Sequence, residues 1–552
     1  MKQLLSILFL AFMALGHVDA SAQAVIRYYQ DCDPAVADVP NCIPGTDGSN
    51  QGATPLSPRR TLPDANAINA LPAGSAVRLC RGSGWTGLSL YIIQNANATR
   101  EQPIVIEDWD CFTNSAQRPT LQWPSSATGA IYVGFFCWQG PPSCPAQRHG
   151  GYIFRGIRIT KAGPLATGSE ATAIYGSSTH VRFENMEYDN WANAFNIATD
   201  QNNSYLTFYN NDIHDNSQNG IVGAATHLLI RKNRLYRNNK LPDPLSDSFA
   251  LEHALYIGGA TPQNDIVIDG NILVDNSTRV STQQCESGNI TARGNVDQMT
   301  ISNNVIVVPN ATPYCYGISI IDGYGTDQEC VRRAMIDSNT VVNVGGSSMA
   351  LLLTAGGTVQ NNKIIRTVTT GQGAAISIGN PSQPGDAAYC PMGNMTVKNN
   401  SIDINTSTSG PQIQITGGTG HKVFNNAVRI SSAAAAGGAT CFAPPIIANL
   451  SIWNYNWCDS PGNWSSGHAS LTLAQGAGYD INGGNTSTGF STPTSGNNWL
   501  LTPGVNLRNV GRVTEAPRFD AVSCERDSTP DIGAHEYGAT TCITVSPPGE
   551  LR

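Results

Sequence analysis

The chain has 552 residues and a formal net charge of -8, and only 13 % of its residues are charged, whereas 55 are glycine. Such a length exceeds an ordinary single domain but suits an elongated all-β fold. The negative balance argues against a basic surface for nucleic acid, so no nucleic-acid partner is expected.

The first 22 residues have the features of a secretory signal peptide. Lys2 supplies the positive charge, Leu4–Leu15 the apolar run, and Ala20-Ser21-Ala22 a small-residue cleavage site. The apolar run is shorter than a membrane span, and no other stretch approaches the required length. We therefore expect cleavage after Ala22 and a mature protein without a transmembrane segment. That protein would be periplasmic, displayed at the cell surface or released.

All 14 cysteines follow the signal peptide. An even number of cysteines in an exported chain favours disulfides over metal ligands or catalytic thiols. Candidate pairs close in sequence are Cys32 with Cys42, Cys137 with Cys144, Cys315 with Cys330, Cys441 with Cys458, and Cys524 with Cys542.

One short phrase recurs through the middle of the chain: an apolar strand, an Asn, one variable residue and an aliphatic residue. Consecutive clear copies are 22 to 38 residues apart, the period of a solenoid with loops of variable length. Their asparagines are Asn211, Asn233, Asn271, Asn304, Asn339, Asn362, Asn400 and Asn426. Asn185-Met186-Glu187 is an imperfect earlier copy, in which Glu187 occupies a slot that is aliphatic elsewhere.

Each copy is followed by a second strand with alternating apolar residues, such as Leu255 with Ile257 or Ile318 with Ile320. Residues two apart lie on one face of a strand, so these side chains should point inward. Three short strands per repeat predict an all-β, parallel β-helix solenoid with continuous apolar columns. The Asn suits a corner with left-handed backbone, and stacked amides can hydrogen-bond from coil to coil.

The repeat over Tyr152–Tyr455 resembles the right-handed parallel β-helix proteins that bacteria secrete, a group rich in polysaccharide lyases and glycoside hydrolases. Thr46–Asn50 and Pro58–Leu62 are similar to the N-terminal phrases of that group, and Pro530–Tyr537 is similar to its closing phrase. The resemblance implies a right-handed solenoid with capping segments at both ends. Fold alone does not fix the reaction.

Four segments follow from these features. We expect a signal peptide at 1–22, an N-terminal cap and first coils at 23–150, the parallel β-helix at 151–458, and a loop-rich C-terminal capping segment at 459–552.

The candidate site lies beneath three long connections, Arg237–Glu252, Asn276–Val296 and Pro309–Val331, because long loops on a solenoid are often functional. Aligning the second strands places Tyr256 in an outward column with Asn196, Val222 and Ser319, and His253 in the next column with Asn193 and Asn219. Aligning the first strands adds Tyr188, His214 and Tyr236 as outward residues. Arg279 is expected near His253 on the following coil.

This group suits an acidic polysaccharide as the substrate partner. A lyase must neutralise a uronate carboxylate, remove the proton on the adjacent carbon and protonate the leaving oxygen. His253 is the candidate base because an ordinary imidazole titrates near neutrality. Tyr256 is the candidate acid, and Arg279 or Lys232 would bind the carboxylate.

The candidate residues fall into three groups. The catalytic candidates are His253, Tyr256, Arg279, Lys232 and Glu252. The substrate-binding candidates are His214, Tyr236, Asn219 and Arg231. A bound calcium ion could replace the arginine and would use Asp215 and Asp275, although the chain has no continuous calcium-loop motif.

Two alternatives remain open. The first is hydrolysis by paired carboxyl groups, with Asp212, Asp215 or Glu252 as candidates. The motifs of the pectin hydrolases and the Arg-x-Pro-x-x-Arg segment of common pectate lyases are both missing. The second alternative is a non-catalytic glycan-binding or adhesin-like surface protein. In all three cases a monomer is expected.

Overall fold

The computed structural model describes residues 23–38, 40, 42–111, 115–134, 150–163, 168–199, 202–239, 253–259, 261–279, 284–285, 287–309, 314–321, 329–367, 373–380, 389–445, 447–488, 490, 505–514, 516–539 and 541–542. Three long parallel sheets run along the molecule, and the chain passes through sheets 1, 2 and 3 in turn. The predicted fold is confirmed: the chain forms a right-handed parallel β-helix with three strands per coil. We number the coils by their sheet 1 strands, from coil 1 at Ile26–Tyr29 to coil 14 at Leu450–Asn454.

The strands are short, and each pairs in parallel with its equivalents in the neighbouring coils. Sheet 1 contains Ile26–Tyr29, Ala76–Cys80, Ile104–Trp109, Gly150–Arg155, Thr179–Glu184, Ser204–Tyr209, Thr226–Arg231, Gln263–Asp269, Asn295–Ser302, Cys330–Asp337, Thr354–Gln360, Gly393–Lys398, His421–Phe424 and Leu450–Asn454. Sheet 2 contains Gly84–Trp85, Thr120–Trp123, Arg158–Lys161, Glu187–Asp189, Asp212–His214, Arg234–Tyr236, Ile272–Val274, Val305–Val307, Thr340–Val342, Lys363–Arg366, Ser401–Ile404, Ala427–Ile430 and Trp457–Asp459. Sheet 3 contains Tyr91–Ile93, Gly129–Val133, Glu170–Ile174, Asn193–Ile197, Ile221–Gly223, Leu255–Ile257, Gly288–Ala292, Tyr316–Ile320, Met349–Leu351, Ile376–Ile378, Gly410–Ile415 and Ala439–Ala443.

The remaining elements are few. A small antiparallel hairpin pairs Thr278–Arg279 with Gln284–Cys285. Within the described residues, the α-helices are Ala65–Asn69, Ser432–Ala436 and Leu471–Gly476, and the 3-10 helices are Ile447–Asn449 and Val505–Leu507. No helix in the described part of the chain is long and apolar enough to cross a membrane.

The core is a set of apolar columns that run the length of the solenoid. In sheet 3, Phe195, Ile221, Leu255 and Ile290 are successive partners, and all four are fully buried. In sheet 1, the Phe183 ring stacks between those of Phe154 and Phe208, with centroids 5.0 and 5.5 Å away. Burial of these columns is the main favourable contribution to the stability of the fold.

An asparagine ladder closes the corner between sheets 1 and 2. Asn211 Nδ2 donates to Asn233 Oδ1 at 2.8 Å, and the same bond repeats at 2.8–3.0 Å from coil to coil as far as Asn456. The predicted hydrogen-bonded column is therefore confirmed. The left-handed backbone lies one residue earlier than predicted, at positions such as Lys232, Asn303 and Asn399, with φ of 56°, 55° and 51°.

This offset explains an error of register in coil 5. Met186, rather than Asn185, occupies the ladder position, and its backbone N–H donates to Asn211 Oδ1. Tyr188 therefore pairs with Ile213 and lies fully buried in the core, so the prediction of an outward Tyr188 was wrong. Glu187 points outward instead of occupying an aliphatic slot.

The ladder ends on a buried acid. Asp480 is fully buried, and its Oδ1 accepts from the backbone N–H and the side-chain Nδ2 of Asn456, at 2.7 and 3.4 Å. Its Oδ2 has no hydrogen-bond partner among the described residues. Burial raises the pKa of Asp480 from 3.8 to about 8, because an apolar surrounding disfavours the charged form.

We expect Asp480→Asn to stabilise the protein at neutral pH. The folded state must keep this carboxyl neutral, so stability is lost as the pH rises from 3.8 to about 8. An amide keeps the acceptor without that penalty, so the variant should gain roughly 5 to 6 kcal/mol over this interval. Thermal unfolding from pH 4 to 9 measures the gain, and Asp110→Asn, at an exposed acid, is the matched control. An equal gain at pH 4 would contradict the explanation.

Six disulfides are formed by the described cysteines, as is typical of exported proteins. Three of the predicted pairs are present: Cys32 with Cys42, Cys441 with Cys458, and Cys524 with Cys542. The predicted pair of Cys137 with Cys144 lies outside the described residues. Cys80 also pairs with Cys111.

The predicted pair of Cys315 with Cys330 was wrong. Cys315 bonds to Cys285 and Cys330 bonds to Cys390, with Cα atoms 5.2 and 5.1 Å apart. The first bond joins the starts of the sheet 3 strands in coils 8 and 9, and the second joins sheet 1 positions in coils 10 and 12. Proximity between coils, rather than along the chain, decides the pairing.

The C-terminal segment packs on the outer face of sheet 2. Asn399 Nδ2 donates to Asp531 O at 3.2 Å, and the Ala534 N–H donates to Ser401 Oγ at 2.8 Å. Arg526 is buried in this contact, where it pairs with Glu536 at 3.1 Å. Sheet strands extend from Ile26 to Asp459, and we propose that the segment after them protects the last coils.

Candidate functional site

The outer face of sheet 2 carries a dense group of polar side chains in coils 3 to 7. Glu187 pairs in register with Asp212, and Asp189 with His214, which in turn pairs with Tyr236. Residues two apart on a strand share a face, so these side chains stand together outside the barrel. We call this group the sheet 2 cluster; its members are Arg118, Arg158, Glu187, Asp189, Asp212, His214, Asp215, Arg234, Tyr236 and Arg237.

Two arginines hold the first carboxylates of the cluster. Arg158 donates through Nε and Nη2 to the two oxygens of Asp189, both at 2.9 Å. Arg118 Nη1 lies 2.8 Å from Glu187 Oε2, and Arg158 Nε lies 3.2 Å from Glu187 Oε1. Bidentate arginine pairs of this kind fix the carboxylates in one orientation.

His214 is held as a cation. Its Nδ1 lies 2.9 Å from Asp215 Oδ2, its Nε2 lies 3.6 Å from Glu187 Oε1, and its ring stacks on Tyr236 at 4.6 Å. Burial acts to lower the pKa of His214, but the bonds to Asp215 and Glu187 outweigh burial and raise the pKa to about 9. The imidazole therefore carries a proton at neutral pH.

Two neighbouring carboxyl groups have pKa values displaced in opposite directions. Burial raises the pKa of Asp212, and its Oδ1 is buried with no hydrogen-bond partner in the described part of the chain. Burial also acts to raise the pKa of Glu187, but His214, Arg158 and Arg118 outweigh it and hold the pKa below its ordinary value. Divergent pairs of this kind are typical of acid–base sites.

A groove of about 830 Å³ leads into the cluster from the N-terminal coils. Its basic side chains are Arg81, Arg118, Arg155 and Arg158, which are 44, 33, 40 and 38 % exposed. The other lining residues are Asp108, Ala116, Gln117, Thr120, Gly156, Asn185 and Glu187. Each of the four guanidinium groups pairs with at least one carboxylate of the chain and keeps part of its surface exposed, so the groove presents a row of charged N–H donors.

The calcium prediction named Asp215 and Asp275. Arg237 lies between them in register, and its Nε donates to Asp215 Oδ1 at 2.7 Å while its Nη2 pairs with Asp215 Oδ2. Glu187, Asp189 and His214 could also hold a metal ion, since their donor atoms lie within 4.8 Å of one another. Glu187, Asp189, His214 and Asp215 already pair with arginine or with one another, which suits a metal with six to eight oxygen ligands poorly.

His253 and Tyr256 lie on sheet 3, away from the sheet 2 cluster. The predicted column is confirmed, with Asn196, Val222 and Tyr256 in register and Thr291 between Tyr256 and Ser319. The ring of His253 stacks on Tyr256 at 4.8 Å, and Nδ1 lies 2.9 Å from Gly288 O. Burial lowers the pKa of His253 to about 4. This pKa lies below the neutral range expected for His253, and its role as a base stays a prediction.

The other predicted residues lie in several places. Gly288, rather than Arg279, follows His253 in register, because Arg279 belongs to the antiparallel hairpin. Asn219 is buried, and its Oδ1 accepts from the His253 N–H at 2.8 Å. Lys232 sits at the left-handed corner of coil 7, two coils beyond the groove residue Asn185.

Two further predictions are placed as follows. Arg231 pairs with Asp269 on sheet 1 at 3.0 Å. Glu252 lies outside the described residues. The structure thus brings together His214, Tyr236 and Asp215 and separates them from His253 and Tyr256.

No protein-family model matches the chain. No curated protein matches it either. Among solved structures, the chain is similar to the catalytic unit of a GH87 alpha-1,3-glucanase from Streptomyces thermodiastaticus, with 14 % identity over 77 % of this chain and 71 % of the other and a TM-score of 0.48. It is also similar to pectate lyase Pel9A, with 15 % identity over 93 % and 97 % of the two chains and a TM-score of 0.35.

A third similar structure is that of the Streptococcus pneumoniae surface protein and adhesin PfbA, with 10 % identity over 72 % of this chain and 94 % of the other and a TM-score of 0.37. At such values the likeness concerns architecture only, and the fold is assigned from the three parallel sheets.

Proposed function

We propose that this protein is an exported enzyme that degrades an acidic polysaccharide by β-elimination. The observation that carries the proposal is the arginine-lined groove that ends at the sheet 2 cluster. There, a charged imidazole and a desolvated carboxyl stand two residues apart on one strand, at His214 and Asp212. Six disulfides support an extracytoplasmic location.

Arg158 would bind the uronate carboxylate at the reacting sugar. It lines the groove and borders Glu187. A guanidinium binds a carboxylate through two parallel N–H bonds and stabilises the negative charge that develops when the neighbouring proton leaves.

Asp212 and His214 would move the protons. The Asp212 carboxylate takes the proton from the carbon beside the uronate carboxyl group, and a double bond forms as the glycosidic C–O bond breaks. His214 gives its proton to the leaving oxygen. Side chains two apart on a strand are about 7 Å apart, enough for a base and an acid to stand on either side of one sugar.

A second candidate, hydrolysis, is favoured by the pair of Asp212 and Glu187. They occupy equivalent positions on adjacent coils, and their pKa values diverge. A protonated Asp212 would donate to the leaving oxygen, and an ionised Glu187 would act as nucleophile or activate water.

We expect the mature protein, starting at Gln23, to release unsaturated uronate from an acidic polysaccharide. The assay follows ultraviolet absorbance and reducing ends together on acidic and neutral polysaccharides, with calcium and with a chelator. Absorbance that rises with reducing ends, unchanged by chelator, is the expected result, because an arginine would supply the positive charge that a metal supplies in the alternative. Reducing ends without absorbance would establish hydrolysis. Saturable binding without any product would point to a glycan-binding surface protein.

A further inference from the structure

The arginines of the groove follow the coils of the solenoid. Arg81 ends the sheet 1 side of the corner in coil 2, Arg118 precedes the sheet 2 strand of coil 3, and Arg155 and Arg158 flank the corner of coil 4. Each of these three successive coils thus places at least one guanidinium in the groove.

The spacing of these groups is set by the backbone. Neighbouring parallel strands lie about 4.8 Å apart, a rise close to the length of one sugar unit in an extended polysaccharide. Arginine has five N–H donors, so a side chain that pairs with one or two protein carboxylates still has donors for another anion. Arg81 pairs with Asp108, and Arg155 pairs with Glu184 and Glu107; both arginines remain 40 % exposed or more.

The reacting groups lie just beyond this row. Glu187 lines the far end of the groove in coil 5, and Asp212 is its partner in coil 6. A chain laid along the helix axis would therefore place one sugar at Glu187 and Asp212 and the next three over coils 4, 3 and 2.

We propose that the groove recognises a run of four consecutive uronates, one carboxylate per coil, in a chain that lies parallel to the helix axis. This inference rests on the proposed function and adds a substrate class, namely homopolymeric uronate blocks. A polymer in which uronate alternates with a neutral sugar would leave every second coil of the row without a carboxylate, and we expect it to bind more weakly.

The test is calorimetric binding of uronate oligomers of two to six residues to the Asp212→Asn protein, which removes turnover. We expect affinity to rise up to four residues and then level off. Arg81→Gln, added to that protein, should weaken the tetramer about tenfold, the value of one charge-assisted contact, and leave the dimer unchanged. Arg333→Gln, at an exposed ion pair on sheet 1 in coil 10, is the control.

Three results would overturn the inference: affinity independent of length beyond two residues, equal weakening of dimer and tetramer by Arg81→Gln, or equal binding of an alternating oligomer. The same oligomers are also given to the unsubstituted protein. If they bind with the expected length dependence but are not cleaved, the proposed function fails and the assignment of the groove stands. If no oligomer binds, both the proposed function and the assignment of the groove fail.

Discussion

Replacing Asp212 by Asn should reduce kcat on the acidic substrate by about 10²- to 10⁴-fold, the usual loss when a general acid–base group is removed. The substitution keeps the size of the side chain and does not touch the backbone bond from the Asp212 N–H to Met186 O, at 2.8 Å. Stopped assays with both readouts measure the loss, and circular dichroism verifies the fold.

The matched control is Asp297→Asn, at an exposed carboxylate that pairs with Arg333 on sheet 1. It should leave kcat unchanged. If Asp212→Asn retained kcat within about threefold of the unsubstituted protein, Asp212 would not move a proton in the reaction, and the sheet 3 residues His253 and Tyr256 would become the next candidates.

The pH dependence of the same reaction separates elimination from hydrolysis. Elimination needs Asp212 ionised and His214 protonated, so activity should rise above the raised pKa of Asp212 and fall as His214 loses its proton near pH 9. Hydrolysis needs Asp212 protonated and Glu187 ionised, so activity should fall as the pH rises through the pKa of Asp212. An alkaline limb near pH 9 that disappears in His214→Gln would identify elimination.

Replacing Asn304 by Ala should lower the free energy of unfolding by roughly 4 kcal/mol, because several buried groups lose partners at once. Asn304 is fully buried; its Oδ1 accepts from both the N–H and the Nδ2 of Asn271 at 2.9 Å, and its Nδ2 donates to Ile268 O at 2.9 Å and to Asn339 Oδ1 at 3.0 Å. Chemical denaturation with the disulfides intact measures the loss.

Asn264→Ala is the control for the ladder. Asn264 is exposed on the sheet 1 strand of the neighbouring coil, and its truncation should change stability by less than about 0.5 kcal/mol. If the ladder variant lost no more than the control, water or a backbone shift would be able to replace the missing amide.

The fold could be predicted because its physical cause repeats in the sequence. The buried ladder needs Asn at one position of each coil from Asn211 to Asn426, and alternating aliphatics face a common core. One coil was misaligned, because Asn185 is the left-handed residue before the ladder position, and Met186 takes the ladder position itself. This one-residue error of register placed Tyr188 at the surface in the prediction, although the residue lies in the core.

The site could be predicted only in part. His214 and Tyr236 were assigned correctly to an outward face, because their coils contain ladder asparagines. Arg118 and Arg158 were missed because the corners of coils 3 and 4 lack the Asn that sets the register. Arginines recur close to the corner between sheets 1 and 2 in coils 2, 3 and 4, and that recurrence would have been the signal for the groove.

The disulfide partner of Cys315 and the environment of His253 could not be predicted from the sequence for another reason. Both depend on what stands beside a residue in the next coil, which loop lengths between coils decide. Cys285 and Gly288 follow a long connection in the chain. The repeat alone therefore could not predict that Cys285 lies beside Cys315 or that Gly288 lies beside His253.

The asparagine ladder also bears on how such a protein can diversify. Successive rungs are separated by as few as 22 and as many as 38 residues, yet the amide bond between them keeps a length of 2.8–3.0 Å. Insertions and deletions between rungs are therefore absorbed by the connections without disturbing the register of the core. Selection can lengthen, shorten or exchange the loops that surround a ligand while the inherited scaffold stays the same. A whole coil can also be duplicated, provided that it contains one asparagine at the ladder position.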